Sequence, residues 1–264
     1  MASVLMLLAT TSCGGSDEPK EQIWYAVIPL MNHVTDSENE RLVSCKETNV
    51  YSEINVDRKL ATFTGLVALH DSGDEVTIDL ANIPMKRTTT PNGFLLTLAE
   101  GETGGHEISD FEFFVDMRQD GVPCHYLHMI IDGRFEVNGL LSEMSFEISQ
   151  SDVTSVTGQK QTVNTGKYVF SITEYSKEKK LAAFSVKGLN VFPLDNGIGY
   201  QGLTLEPTYT GYRITAPADG VEPKEGGGSK LEQLEADIDV HSRTFTASFT
   251  VHNSGSVTAS GSMP

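Results

Sequence analysis

Two histidines beside a cysteine are the first residues in this chain that could do chemistry. His125 and His128 lie three positions apart, next to Cys124, and on one face of a helix they would suit a zinc site. The surrounding residues 126–131 favour a strand instead, in which odd spacing points the two rings to opposite sides. Neither Cys-x-x-Cys nor His-Glu-x-x-His is present. We therefore expect one packed and one exposed histidine, with no metal site and no cofactor.

Acidic residues at every second position are the next candidates, because paired carboxylates hydrolyse glycosides and bind hard cations. Glu112 and Asp116 share one face of a predicted strand. Glu235, Asp237 and Asp239 share one face of another. A catalytic acid needs an apolar setting that raises its pKa, whereas the apolar residues of both segments face the other way. The sequence therefore predicts solvated strand faces, with loose calcium binding as the alternative.

Motifs for nucleophilic catalysis and nucleotide binding are missing from the sequence. It contains no Gly-x-Ser-x-Gly, and Gly197-Ile-Gly199 precedes no predicted helix, so it is interpreted as a turn. Several aromatic residues could stack on sugar rings, although packing is their commoner role. These are Trp24, Tyr25, Tyr200, Tyr209 and Tyr212. We accordingly predict a non-enzymatic protein with no catalytic residues.

The elements that would position these residues are β-strands. After residue 45, Val, Ile, Thr, Phe and Tyr alternate with polar residues, and Gly, Asn, Asp and Pro interrupt them every 8 to 12 residues. An amphipathic helix of useful length is not found. The predicted fold class is all-β.

Internal similarity shows that the β-pattern is duplicated. Three segments recur at offsets of 118 to 123 residues: Lys59–Phe63 as Lys180–Phe184, Leu80–Pro84 as Leu203–Pro207, and Gly93-Phe94 as Gly211-Tyr212. The strongest match pairs Ile108–Met117 with Leu231–Val240. In that match Phe111, Phe113, Val115 and Met117 form an apolar face that is answered by Leu234, Ala236, Ile238 and Val240. Both faces are expected to point into a core.

The predicted organisation is a leader, a lead-in and two repeats. Residues 14–45 form a stalk and a lead-in segment, in which Ile23 to Met31 can add a strand. Repeat 1 spans 46–150, a polar joint spans 151–165, and repeat 2 spans 166–264. Each repeat offers about six or seven short strands, which suits two small antiparallel barrels or sandwiches, or two halves of one pseudo-symmetric barrel.

Residues 1–13 are typical of the end of a secretory signal. They carry no charge and contain an apolar run from Val4 to Ala9, which is too short for the ~20 apolar residues that span a bilayer. A basic region and a full-length apolar region are missing, which indicates a start codon placed too far downstream. The segment ends in small residues and Cys13, which indicate what kind of secretory signal it is.

The stretch from Ala9 to Glu18 resembles a bacterial lipoprotein cleavage site, although Thr10 stands where such sites usually carry Leu. Cys13 would then be the lipid-attachment residue. Acidic residues after it resemble the surface-export signal of lipoproteins in the Bacteroidetes. The resemblance implies an outer-membrane lipoprotein, anchored by its acyl chains and exposed at the cell surface. A plain secretory signal and a buried N-terminal strand are the alternatives.

Tandem meandering strands behind such a leader are similar to the calycin-like β-domain lipoproteins of gut Bacteroidetes. The likeness covers most of residues 46–264. It implies a barrel whose interior or mouth takes a small apolar ligand, and it identifies no individual binding residue.

Charge and cysteine content limit the partners further. The chain has 264 residues and a net charge of −17, so phosphate backbones would meet it with like charge and no nucleic-acid partner is expected. If Cys13 is acylated, Cys45 and Cys124 either form a disulfide or stay as unpaired thiols. We expect a binding or surface-interaction module for a small hydrophobe, a glycan or a protein. The alternatives are a fimbria-like adhesin subunit and a polysaccharide-processing hydrolase.

Overall fold

The computed structural model describes residues 7–8, 21–70, 75–98, 102–103, 106–116, 124–188, 198–224 and 228–264. Every regular element in these ranges is a β-strand, which confirms the predicted all-β class. The chain divides into two compact units, Met1–Leu141 and Ser142–Pro264.

The first unit is a closed barrel of eight antiparallel strands. Its strands follow one another around the barrel in chain order from β2 to β10, and the last pairs with the first through Leu140 and Met31. Two short strands, β1 and β7, lie off this path against β2 and β8. The strands of this unit are β1 (Leu7–Leu8), β2 (Ile23–Asp36), β3 (Arg41–Asn55), β4 (Leu60–His70), β5 (Glu75–Thr90), β6 (Gly93–Leu98), β7 (Glu102–Thr103), β8 (His106–Asp116), β9 (Tyr126–Ile131) and β10 (Phe135–Leu140).

The second unit is a closed eight-stranded antiparallel barrel of the same plan. Its strands also run in chain order, and β19 closes the sheet against β11, with β12 as a short strand beside β11. The strands of this unit are β11 (Glu143–Ser155), β12 (Lys160–Val163), β13 (Lys167–Tyr175), β14 (Lys180–Lys187), β15 (Gly199–Pro207), β16 (Gly211–Thr215), β17 (Leu231–Asp239), β18 (Thr244–Val251) and β19 (Gly255–Ser262). Of the architectures left open by the sequence, two separate barrels are the one observed.

The internal similarity falls on equivalent strands of the two barrels. Lys59–Phe63 leads into β4 and Lys180–Phe184 lies in β14, and each of these is the third strand of its barrel. The strongest match, Ile108–Met117 with Leu231–Val240, falls on β8 and β17, the sixth strands. The predicted duplication is therefore confirmed at these two pairs of strands.

Two glycines hold the same close backbone approach in both barrels. Gly93 opens β6 and Gly211 opens β16. A Cβ atom on Gly93 would lie 2.0 Å from the carbonyl oxygen of Val115, and one on Gly211 would lie 2.1 Å from that of Ile238. The backbone N–H of each glycine donates to a threonine hydroxyl three residues earlier, at 3.0 and 3.1 Å. Only glycine fits between these strands without moving the backbone.

The predicted apolar faces point into the two cores. Burial on alternate residues follows from the two-residue period of the pleat. Seven of the predicted inward residues are at most 4% exposed: Phe111, Phe113, Val115, Leu234, Ala236, Ile238 and Val240. The eighth, Met117, lies outside the described residues.

The observed boundaries differ from the predicted ones by one strand. The expected joint 151–165 contains part of β11 and all of β12, and the expected lead-in 14–45 contains β2 and the start of β3. The strands concerned are β2 and β11, which open the two barrels and contain none of the recurring segments found in the sequence. Pairing with a distant partner decides which barrel such a strand joins, as when Ser155 pairs with Gly255.

Candidate ligand-binding site

The two histidines singled out by the sequence lie on opposite sides of the first barrel wall. His125 is 2% exposed, and its Nδ1 accepts the backbone N–H of Asp116 at 3.0 Å. Burial lowers the pKa of His125 to about 4, although the Asp116 carboxylate acts in the opposite direction. His128 lies on the outward face of β9, where Nδ1 is 2.9 Å from Oδ1 of Asn138. The two rings therefore share no ligand-binding face, as the odd spacing predicts.

The predicted solvent exposure of the paired carboxylates is wrong for Asp116 and confirmed for the acidic residues of β17. Asp116 is only 7% exposed, so the prediction of a solvated carboxylate is wrong at this position. The cause is the backbone N–H of Cys124, which donates to Oδ2 of Asp116 at 3.0 Å. His125 and Asp116 are therefore both engaged by backbone groups at this end of the strand. On β17, Glu235, Asp237 and Asp239 face outward as predicted.

Two of the three cysteines lie in the described part of the chain. Cys13 lies outside the described residues, so its predicted acylation stays a prediction. Cys45 is half-buried, Cys124 is buried, and no disulfide joins the two. Of the two states that the sequence leaves open for this pair, the one with two separate thiol side chains is observed.

Side chains occupy the interior of the second barrel. A cluster of aromatic rings fills it, with centroid separations of 5.2 Å for Phe170 and Phe184, 5.3 Å for Phe184 and Phe249, and 5.5 Å for Tyr168 and Phe245. Tyr200 and Tyr212 are also buried, at 0% and 1% exposure. These tyrosines are therefore core residues and are not available to stack on a sugar.

One hollow of the second barrel lies on the outward face of β17 and β18. It measures about 1490 Å³ and is bordered by polar side chains that include Glu232, Glu235, Ser248 and His252. This hollow is a solvated polar surface and offers an apolar molecule little to contact.

The first barrel has a cavity of about 500 Å³ at one end. Its inner wall is formed by Ile54, Met85 and Leu96, which are at most 6% exposed. Leu60 and Val56 continue this apolar lining toward the solvent and are half-buried. A volume of this size lies within the ~300–1,000 Å³ range of small-molecule sites.

Neighbouring strands bring the lining of the cavity together. Ile54 ends the inward face of β3, Leu60 begins β4, and Met85 lies on β5. The backbone N–H of Met85 donates to the carbonyl oxygen of Lys59 at 2.9 Å, which fixes β5 against the turn between β3 and β4. Beyond Met85, β5 continues past the start of β4 and pairs with β6. This overhang carries basic residues to the mouth of the cavity.

Three cationic side chains form the rim of the cavity. They are Lys59, Lys86 and Arg87, and all three are exposed. Within the described part of the chain none of them forms an ion pair, whereas Arg58 and Arg134 are bound to carboxylates. A local group of unpaired cations stands out in a chain with a net charge of −17.

Arg87 is held by aromatic rings. Its guanidinium carbon lies 4.4 Å from the ring centroid of Trp24 and 4.9 Å from that of Phe94, and the two rings are 5.5 Å apart. The Nε1–H of Trp24 is buried without a hydrogen-bond partner among the described residues. Stacking uses the face of the guanidinium, so its N–H edge stays free to donate.

In the sequence, Trp24 is a candidate stacking residue, whereas the other residues of this site are not candidates for binding. Lys59 belongs only to a repeated segment. The adjacent basic pair Lys86-Arg87 in an acidic chain is the one local signal that points to the mouth. Met85 and Leu96 have no distinguishing signal, because inward apolar residues occur on every strand.

The fold and the cavity together define a class of protein: two tandem eight-stranded antiparallel barrels, consistent with calycin-like repeats, of which the first has an apolar cavity at one end. Comparison with known proteins finds no matching protein family, no matching curated protein and no matching solved structure. Within the described ranges, no helix has the length and apolar character needed to cross a membrane.

Proposed function

We propose that this protein is a non-enzymatic binding module of the bacterial cell envelope that holds a small, mainly apolar molecule at the end of the first barrel. The observation that carries the proposal is the cavity of about 500 Å³ lined by Ile54, Met85 and Leu96. Concave apolar sites with a few polar groups at the edge are the usual form of small-molecule sites. An apolar ligand is favoured over a glycan because no described aromatic side chain lines this cavity, and neither Tyr25 nor Tyr209, which are exposed, belongs to its lining.

A neutral fluorescent probe tests this proposal. N-phenyl-1-naphthylamine is expected to bind saturably, with one site per chain, and to change the emission of Trp24, the single tryptophan. Replacing Leu60, a half-buried residue of the lining, with Asn should weaken binding by about tenfold, since ~1.4 kcal/mol of apolar contact corresponds to that factor.

The second barrel supplies a matched control for this experiment. Leu181 follows Lys180 as Leu60 follows Lys59, and both leucines are half-buried. Leu181→Asn should leave probe binding within twofold of the wild type. Absence of saturable binding, or equal loss in the two variants, would contradict a ligand site at the first barrel.

The subcellular localisation of the protein is part of the same proposal. We propose acylation at Cys13 and attachment to the outer membrane at the cell surface, in the manner of Bacteroidetes lipoproteins. Labelled palmitate should enter the wild type and a Cys45→Ala control but not Cys13→Ala. Equal labelling of all three proteins would refute acylation at Cys13.

The two alternative functions receive no specific support. Donor-strand polymerisation of an adhesin needs an open sheet edge, and both eight-stranded sheets close on themselves within the described chain. Glycoside hydrolysis needs two carboxylates that converge on a substrate. The acids of β17 instead lie on an outward face, where Arg213 Nε donates to Asp237 at 2.8 Å.

A further inference from the structure

We infer that the ligand of the first barrel is an amphiphilic anion, with an apolar body inside the cavity and a carboxylate, sulfate or phosphate group at its mouth. This inference rests on the proposed function, because it concerns the chemistry of the same site. Lys59, Lys86 and Arg87 form the rim of the cavity, and Ile54 and Leu96 belong to its buried wall. A molecule with one charged end and one apolar end satisfies both parts.

The charge at the rim is not neutralised by the rest of the barrel end. Glu21 lies near this end but is engaged by Arg58, whose Nε donates to it at 2.7 Å, and by Asn55 at 2.8 Å. Asp57 accepts the backbone N–H of Gln22 at 2.7 Å. The three rim cations therefore keep their charge available, since no described carboxylate pairs with them.

Arg87 is the group best placed to recognise the head of the ligand. Its flat face is stacked on Trp24 and Phe94, which restricts the side chain and leaves the N–H edge as the donor surface. That edge matches a carboxylate or phosphate with two parallel hydrogen bonds. Lys59 and Lys86 add mobile point charges beside it, so the site accepts more than one anionic headgroup.

Such a site also explains how an acidic protein attracts an anion. The whole chain repels anions at long range, but exposed charges are screened beyond ~10 Å at an ionic strength of 0.1 M. Near the mouth, the local cations dominate the potential. Binding of an anionic ligand should consequently weaken when salt is raised, whereas binding of a neutral analogue should not.

The test compares three ligands that share one tail. Decanoate, decan-1-ol and decyltrimethylammonium are titrated below their aggregation concentrations, with Trp24 emission and calorimetry as readouts. Decanoate should bind at least tenfold more tightly than decan-1-ol, and the cationic ligand should bind more weakly than either. Decyl sulfate and decyl phosphate then establish which headgroup the site prefers.

Three variants locate the headgroup. Arg87→Gln and the double variant Lys59→Gln/Lys86→Gln should each reduce the preference for decanoate over decan-1-ol by about three- to tenfold. Arg87→Lys should retain part of the affinity, because it keeps the charge and loses the flat fork. Lys180→Gln, the equivalent of Lys59 in the second barrel, is the control and should change neither ligand. Unaltered urea midpoints will show that the fold is intact.

The outcomes separate this inference from the proposed function. Equal affinities for decanoate and decan-1-ol, or a preference for decanoate that survives both rim variants, would overturn the inference and leave a neutral apolar site standing. Failure of every ligand to bind, together with failure of the naphthylamine probe, would overturn the proposed function itself. A preference for decanoate that is lost with Arg87 supports both.

Discussion

Burial of His125 should make the first barrel sensitive to mild acid. The ring is 2% exposed, and burial lowers its pKa to about 4 from the ordinary value of 6.5. Between these two values the unfolded chain binds a proton that the folded chain excludes, so stability is complete above pH 6.5 and is lost as the pH falls toward 4. The linkage relation gives a loss of about 2 kcal/mol between pH 8 and pH 5.

Urea unfolding monitored by Trp24 emission measures this loss in the unit that contains His125. For an m-value of ~2 kcal/mol per molar, the midpoint should fall by about 1 M between pH 8 and pH 5. The pKa values of Asp36 and Asp132 are lowered by Arg134 and His106 respectively, so their contributions disappear only below about pH 4. The window from pH 8 to pH 5 therefore isolates histidine titration.

Two variants decide whether His125 is the cause. His125→Gln keeps a hydrogen-bond acceptor of similar reach and removes the titrating group, so most of the pH dependence should vanish whatever the absolute stability. His252→Gln changes an exposed histidine of the second unit and should leave the dependence intact. Parallel pH profiles for the wild type and His125→Gln would refute this account.

Three further predictions follow from packing and ionisation. Gly211→Ala, whose Cβ would lie 2.1 Å from a backbone oxygen, should lower the free energy of urea unfolding by at least about 2 kcal/mol. The control Gly199→Ala, whose Cβ would lie 3.7 Å from its nearest contact, should lower it by less than about 1 kcal/mol. Equal losses of stability in the two variants would contradict the close approach at Gly211. In native protein Cys45 should react with a thiol reagent before Cys124, because Cys124 is the buried thiol, and faster labelling of Cys124 would contradict that burial. Burial raises the pKa of Tyr168 to about 12, so the ultraviolet absorbance change of this tyrosine should occur near pH 12. The free energy of unfolding should decrease as the pH rises from 10 toward 12, because the unfolded chain loses the phenol proton first. Titration of all tyrosines near pH 10 would exclude this effect.

The sequence predicts the direction of a side chain correctly where the pleat of a single strand determines it. The alternation of Phe111, Phe113 and Val115 with polar residues predicts an inward face, because the pleat fixes the direction of each side chain locally. It failed at Asp116, which has the same parity as Glu112 but is covered by the backbone of Cys124. Local periodicity cannot show which segment folds back over a strand end.

The candidate site was largely invisible for the same reason. Lys59 lies in the turn before β4 and Leu60 begins that strand, whereas Lys86 and Arg87 come from β5 and Leu96 from β6. Each residue is ordinary in its own segment. Only the pairing of β3, β4, β5 and β6 brings the basic overhang of β5 beside the apolar wall.

By itself, the sequence determined an acidic, all-β chain with a duplicated strand pattern, since composition and two-residue periodicity are local properties. Tertiary structure decided which strands close each barrel, as in the pairing of β2 with β10 and of β11 with β19. It also decided that buried side chains, aromatic rings among them, fill both interiors and that the first barrel keeps a cavity at one end. Those properties depend on hydrogen bonds and packing between residues far apart in the chain, and a local sequence pattern contains no information about such contacts.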